Sequence, residues 1–349
     1  MQASVTFPES RALALRALSV LGLAVTAGCG PEPPPTPARF ALRGRWEDPS
    51  ALVYRLDAQD SPFEADLVRR MLEQACARWS EVAPVGFRPA REGELSDLDV
   101  SFERGRHGSC MPFGVDGSVA HSGPVGTGTF VHLDLDRSWV ASGPGDAQAP
   151  ALEQTLLHEL GHVLGLDHSS DPDALMYADP HTTQIERSDV AGIRTLYDRS
   201  PPGPGDLAVT RGAETLAVLR GLAVPGAVEF ELFDTDGDGH DELVLWRTDP
   251  AGHGELTSFF FDERCRPYRT LGPRAGMTGP GAATALVVTA ARERLLVLAY
   301  PNGNRVARLF DGRGILQDYE GDPPALVQSA RRLTGDLDGD GSEERVRAD

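Results

Sequence analysis

Positive charge is scarce in this sequence. Its 349 residues hold 33 Lys and Arg against 52 Asp and Glu, a formal net charge of −19. Such a surface repels polyanions, which excludes nucleic acid as a partner. Cysteine is scarcer still: 4 residues cannot build the dense disulfide framework that holds small secreted scaffolds together. Long apolar runs are missing too, since the stretch at residues 17–25 is too short to span a bilayer stably. What remains is the composition of a soluble globular protein, at a length that suits two domains.

Residues 1–29 read as an export signal. Arg11 and Arg16 form a basic start, the apolar run 17–25 follows, and small residues lead up to Cys29. The string Thr26-Ala27-Gly28-Cys29 resembles a bacterial lipobox, which makes Cys29 a lipid anchor. Thr26 stands where Leu is usual, and ordinary cleavage near Ala27 is the alternative. Either outcome implies an exported protein, as a cell-envelope lipoprotein or an extracellular one, touching a membrane only through an N-terminal lipid. Residues 30–42 continue as a proline-rich, extended linker. In an oxidising compartment Cys76 and Cys110 are a candidate disulfide that leaves Cys265 unpaired, although spacing does not fix connectivity.

The chemistry concentrates in residues 155–177. His158 and His162 stand four apart, so on a helix both imidazoles leave one face and can share a metal. Leu152, Leu156, Leu160 and Val163 have helical periodicity, Pro150 suits the helix start, and Gly165 ends it by reversing the chain. The reversal brings His168 to the same ion. Three neutral imidazoles with a fourth position open to water make a catalytic zinc site. Glu159 sits beside the first ligand, placed as the base that takes a proton from that water and carries it to a leaving amine. The expected reaction is hydrolysis of peptide bonds.

The string H-E-x-x-H-x-x-G-x-x-H is met at every position, and Met176 follows His168 by eight residues. It resembles the metzincins, and His168-Ser169-Ser170 with Ala174-Leu175-Met176-Tyr177 resembles the matrixins among them. The resemblance implies an α+β catalytic domain over residues 43–199, with a twisted mixed sheet and three helices. It implies that Met176 lies in a turn beneath the metal as an apolar floor. Around it, the residues predict a strand at 52–56, a helix from the capping box Ser61-Pro62-Phe63-Glu64 to about residue 81, and a strand at 98–102. By resemblance, 117–121 is the edge strand along which a peptide pairs, and 188–197 is the closing helix.

The resemblance also implies a structural zinc held by His107, His121 and His132. Where the family has an Asp ligand this sequence has Ser109, followed by Cys110. Three imidazoles with a thiolate or water still suit zinc; with Cys110 in a disulfide the site is weak. The family's calcium sites look eroded, because Arg137 replaces a Glu near Asp134.

Residues 200–205 (Ser-Pro-Pro-Gly-Pro-Gly) are a linker, and 206–349 read as a mostly β domain with strand-like runs at 216–219, 243–246, 285–288, 295–300 and 306–310. Two segments within it repeat. Asp234, Asp236, Asp238 and Glu242 occupy the same loop positions as Asp336, Asp338, Asp340 and Glu344, each with the glycine a calcium loop needs for its bend. The loops resemble the FG-GAP repeats of integrin-type propellers, with a degenerate loop between them. That leaves a small β sandwich or an incomplete propeller.

Two functions compete. One is a monomeric zinc endopeptidase acting on protein or peptide substrates, stabilised by calcium. The other is a calcium-dependent adhesion lipoprotein whose protease fold is vestigial. The intact set His158, Glu159, His162 and His168 favours the enzyme.

Overall fold

The computed structural model describes residues 36–348 apart from 116, 144, 147–148, 224–227, 249–253, 275–282, 301, 322 and 325–331. The export signal, Cys29 and the first part of the expected linker lie outside the described residues. No helix among the described residues is long and apolar enough to cross a membrane.

The chain opens with β1 (Ala41–Leu42), β2 (Leu52–Asp57), α1 (Ala65–Val82), β3 (Phe87–Pro89) and β4 (Leu98–Glu103). It continues through β5 (Ala120–Ser122), β6 (Thr129–Asp134), α2 (Leu152–Val163), β7 (Leu166–Asp167) and α3 (Arg187–Tyr197). Alternation drives the strands: in β4, Leu98, Val100 and Phe102 face inward while Asp99 is exposed. Five strands form one sheet in the order β3-β2-β4-β6-β5. All its neighbours are parallel except β5, which runs antiparallel to β6 at the edge. The result is the α+β arrangement of a mixed sheet with three helices that the resemblance implied.

Local details differ from the sequence reading. α1 starts at Ala65, not at Pro62: the Ser61 hydroxyl accepts the Phe63 N–H in a turn ahead of the helix, and Glu64 takes the cap position without a side-chain bond. The Cys76–Cys110 bridge is not formed. Cys76 faces the core from α1 with Val68, Met71, Leu72, Ala75 and Trp79, whereas Cys110 sits in a loop beside His132, and both thiols are free. Packing decided this pair, because a small apolar thiol on the inner face of a helix is a core residue first.

The expected linker also ends sooner. Ala38, Phe40, Ala41 and Leu42 are buried, and β1 pairs antiparallel with β7. Behind β1 lies the second part of the chain. Its strands are β8 (Leu207–Arg211), β9 (Glu214–Leu219), β10 (Val228–Phe233), β11 (Glu242–Thr248), β12 (Gly254–Phe261) and β13 (Pro267–Arg274). They are followed by β14 (Ala283–Val288), β15 (Arg294–Ala299), β16 (Arg305–Phe310), β17 (Leu316–Asp318), β18 (Thr334–Gly335) and β19 (Glu344–Ala348). They make three four-stranded antiparallel sheets, β10-β11-β12-β13, β14-β15-β16-β17 and β18-β19-β8-β9. A sandwich needs two facing sheets; among the described residues there are three, and the last combines strands from both ends of this region.

The two parts share a core. Phe40 meets Phe259 edge to face at 5.9 Å between centroids, and the Leu42 N–H donates to Thr270 Oγ1 at 2.9 Å. Arg247, buried, donates to the Ala38 carbonyl and pairs with Glu255. Residues 200–205 are likewise fixed rather than free, since Arg220 donates to the carbonyls of Ser200 and Pro201.

Candidate metal centre

α2 is apolar or buried on nearly all sides, with every residue from 156 to 163 inside. Such a helix must satisfy its trailing carbonyls within the protein. Trp46 Nε1 donates to Val163 O at 2.8 Å and Tyr197 OH to Leu164 O at 2.7 Å. Higher up, Trp79 Nε1 reaches Leu157 O at 2.9 Å. Three aromatic donors thus fix the helix that carries the histidines. Gly165 then turns the chain with φ +107°, and a Cβ there would come within 2.3 Å of Gly44 O. Only glycine fits that position, and the turn feeds β7 and His168.

Main-chain carbonyls aim the imidazoles. His158 Nδ1 donates to Leu175 O and His162 Nδ1 to Leu166 O, both at 2.8 Å, which leaves each Nε2 as a lone pair. Ligand atoms of His158, His162 and His168 all lie within 4.8 Å of one another. Burial lowers the pKa of His158 to about 4 and that of His162 well below its ordinary value; His168 is lowered by the same cause. All three are therefore neutral at pH 7 and able to serve as ligands. The donor set and its aim fit zinc.

Glu159 completes the site. Burial pushes its pKa up to about 7, with the Ser122 side chain and the Arg43 charge pulling the other way. Its Oε2 is buried and has no hydrogen-bond partner among the described residues. A carboxylate oxygen in that condition costs free energy unless something arrives to meet it.

Met176 lies under the helix, 1% exposed. A Cβ on Gly161 would come 2.4 Å from Met176 Sδ and 2.9 Å from Trp79 Cζ2, so glycine there admits the sulfur. The turn is held by Asp189, whose carboxylate accepts the N–H groups of Leu175 and Met176 at 2.8 and 3.0 Å. It also accepts the Glu186 N–H at 2.8 Å, closing the capping box of α3. Burial raises the Asp189 pKa to about 6 while those three N–H groups act against the shift. The sequence reading missed this residue. An acid in the first turn of α3 signals a cap, but nothing in sequence ties it to a turn thirteen residues earlier.

His107, Cys110, His121 and His132 come together with ligand atoms within 4.8 Å of one another. His107 Nδ1 donates to Gly105 O at 2.8 Å, leaving Nε2 as a lone pair 3.2 Å from His121 Nε2. Two nitrogens on one tetrahedral zinc, each bonded at roughly 2.0 Å, stand about 3.3 Å apart. His132 is lowered to about 4 by burial and by the neighbouring histidines. The cluster fits zinc with Cys110 as the fourth donor. Nearby, Arg137 Nε pairs with Asp134 Oδ2 at 3.2 Å, so that carboxylate is neutralised within the chain.

The two acidic loops occupy equal places, joining β10 to β11 and β18 to β19. Asp234, Asp236 and Asp238 form one close group and Asp336, Asp338 and Asp340 another. Glu242 and Glu344 do not join these trios. Each turns back to accept a loop N–H, from Thr235 at 2.6 Å and from Leu337 at 2.9 Å. The loops differ in cations supplied by the chain. Arg211 contacts Asp338, Asp340 and Glu344 at 3.0, 3.1 and 2.7 Å, whereas in the first loop Asp234 alone of its trio has an arginine partner among the described residues, Arg294, and Arg332 pairs instead with Asp241. The matching turn of the middle sheet, residues 289–293, has no aspartate.

A family model described as Matrixin matches residues 45–198. Metalloendoproteinase 2-MMP of Arabidopsis thaliana is 36% identical over 160 residues, covering 43% of this chain and 42% of its own. Interstitial collagenase of Sus scrofa is 36% identical over 185 residues, or 49% of this chain and 38% of its own. Stromelysin-3 of Mus musculus is 36% identical over 183 residues, 50% of this chain and 36% of its own. The chain thus spans about two fifths of the length of such relatives. By that match and by the histidine triad over its methionine turn, residues 45–198 form a matrixin-like domain.

Proposed function

We propose that this protein is a zinc-dependent endopeptidase, exported from the cell, that hydrolyses peptide bonds in protein substrates. The observation that carries this reading is the unpartnered Oε2 of Glu159 beside three histidines aimed at one point. His158, His162 and His168 would hold the zinc, which when bound acts as a Lewis acid and lowers the pKa of water to about 7. Glu159 accepts the proton of the attacking water and hands it to the departing amine nitrogen. Its raised pKa suits both transfers near neutral pH. The Leu175 carbonyl keeps His158 in place, and Met176 lies beneath Gly161. His107, Cys110, His121 and His132 would hold a second, structural zinc that stiffens the loop leading to β5.

The test is casein hydrolysis by protein stripped of metal with a chelator and then given zinc. Activity is expected to vanish and return; hydrolysis that persists without metal contradicts the reading.

The β region is proposed to take calcium at Asp234, Asp236 and Asp238. In the second loop, Arg211 already supplies the positive charge that a cation would bring. Arg211→Ala is therefore expected to lower the melting temperature and to let added calcium raise it again. A variant that melts like wild type, or ignores calcium, counts against this assignment.

A further inference from the structure

β5 packs against α2 and ends the sheet. Its inner side is taken by β6: His121 faces His132, Gly123 N–H donates to Phe130 O, and Val119 O accepts the Asp134 N–H. In an antiparallel pair the residues between these turn their main-chain groups outward. Ala120 and Ser122 thus present the free edge that an extended peptide would join.

One of those outward groups is already engaged. Arg43 Nη2 donates to Ser122 O at 3.3 Å and to Gly123 O at 2.5 Å. Arg43 is itself anchored just past β1, its N–H bonded to Gly165 O at 2.9 Å. Both side-chain bonds use Nη2, so Nη1 and Nε remain available. No carboxylate of the described residues pairs with this guanidinium, although the chain carries 52 Asp and Glu. Its charge is felt across the site, lowering the pKa of Glu159, His162 and His168. An arginine with no carboxylate partner among the described residues, at a peptide-binding edge, is matched by a carboxylate, which Nη1 or Nε can meet with a charge-assisted hydrogen bond.

We propose that Arg43 is a specificity-determining residue, selecting peptides that bring an acidic side chain to the Ser122 end of β5. The inference rests on the endopeptidase reading above. Arg43 also caps the Ser122 carbonyl, so the bound peptide is paired at Ala120 and read by charge beyond it.

The test uses zinc-loaded full-length protein and a proteome-derived peptide library, with cleavage sites read by mass spectrometry. Synthetic Glu and Gln versions of the best peptide then give kcat/KM. Wild type is expected to favour Glu or Asp at one subsite by about tenfold. Arg43→Lys should keep the preference, Arg43→Gln flatten it, and Arg43→Glu turn it toward Lys. Wild type that cleaves without acidic preference, or Arg43→Glu with the wild-type profile, overturns the role of Arg43 alone. No cleavage by wild type overturns the endopeptidase reading and this inference with it.

Discussion

Asp189→Ala is expected to lose on the order of 3–5 kcal/mol of stability and to bind zinc roughly 10–100-fold more weakly. The substitution leaves three N–H groups without an acceptor, those of Leu175, Met176 and Glu186, around a side chain that is 1% exposed. Each unsatisfied buried donor costs about 1–3 kcal/mol, and the three share one site, so their sum is not additive. The effect reaches the metal by a short path. Leu175 gives its N–H to Asp189 and its carbonyl to His158 Nδ1. A turn that shifts lets the His158 ring rotate and pulls Met176 from under Gly161. Asp189→Asn keeps one acceptor oxygen and should fall between. Urea denaturation and zinc titration of the three proteins check this. Wild-type stability and affinity in Asp189→Ala would mean that the turn is held by packing alone.

The triad was legible because its geometry is local. His158 and His162 share a helix face, and Gly165 forces the reversal that delivers His168, so spacing along the chain nearly equals arrangement in space. Glu159 was legible for the same reason. Asp189, Arg43 and Trp46 were not, since each acts across a tertiary contact: α3 to the methionine turn, the end of β1 to β5, and the segment between β1 and β2 to the end of α2.

Cys76 misled because a thiol in a helix reads as a pairing partner in sequence, while its neighbours on α1 made it a core residue. In the β region, the apolar runs of β11 and β15 declared themselves. β19 did not: in Glu344–Ala348 only Val346 offers an inward apolar side chain, and pairing with β8 holds the strand. The ends of that region meet in one sheet through contacts that no short-range pattern carries.

Glu159→Gln is expected to abolish most proteolysis while leaving the metal in place. The glutamine keeps the size of the side chain and cannot accept the proton, which lowers the rate by roughly 10²–10⁴-fold. No ligand is touched, because His158 and His162 are aimed by the carbonyls of Leu175 and Leu166 and not by Glu159. His162→Ala serves as the contrast, losing a ligand and so both metal and activity.

The most direct measurement takes zinc content and casein hydrolysis on the same preparations of wild type and Glu159→Gln. Equal zinc in the two proteins, with hydrolysis lost only in the variant, is the expected result. Hydrolysis at the wild-type rate by a zinc-loaded Glu159→Gln protein contradicts a mechanism in which Glu159 is the base.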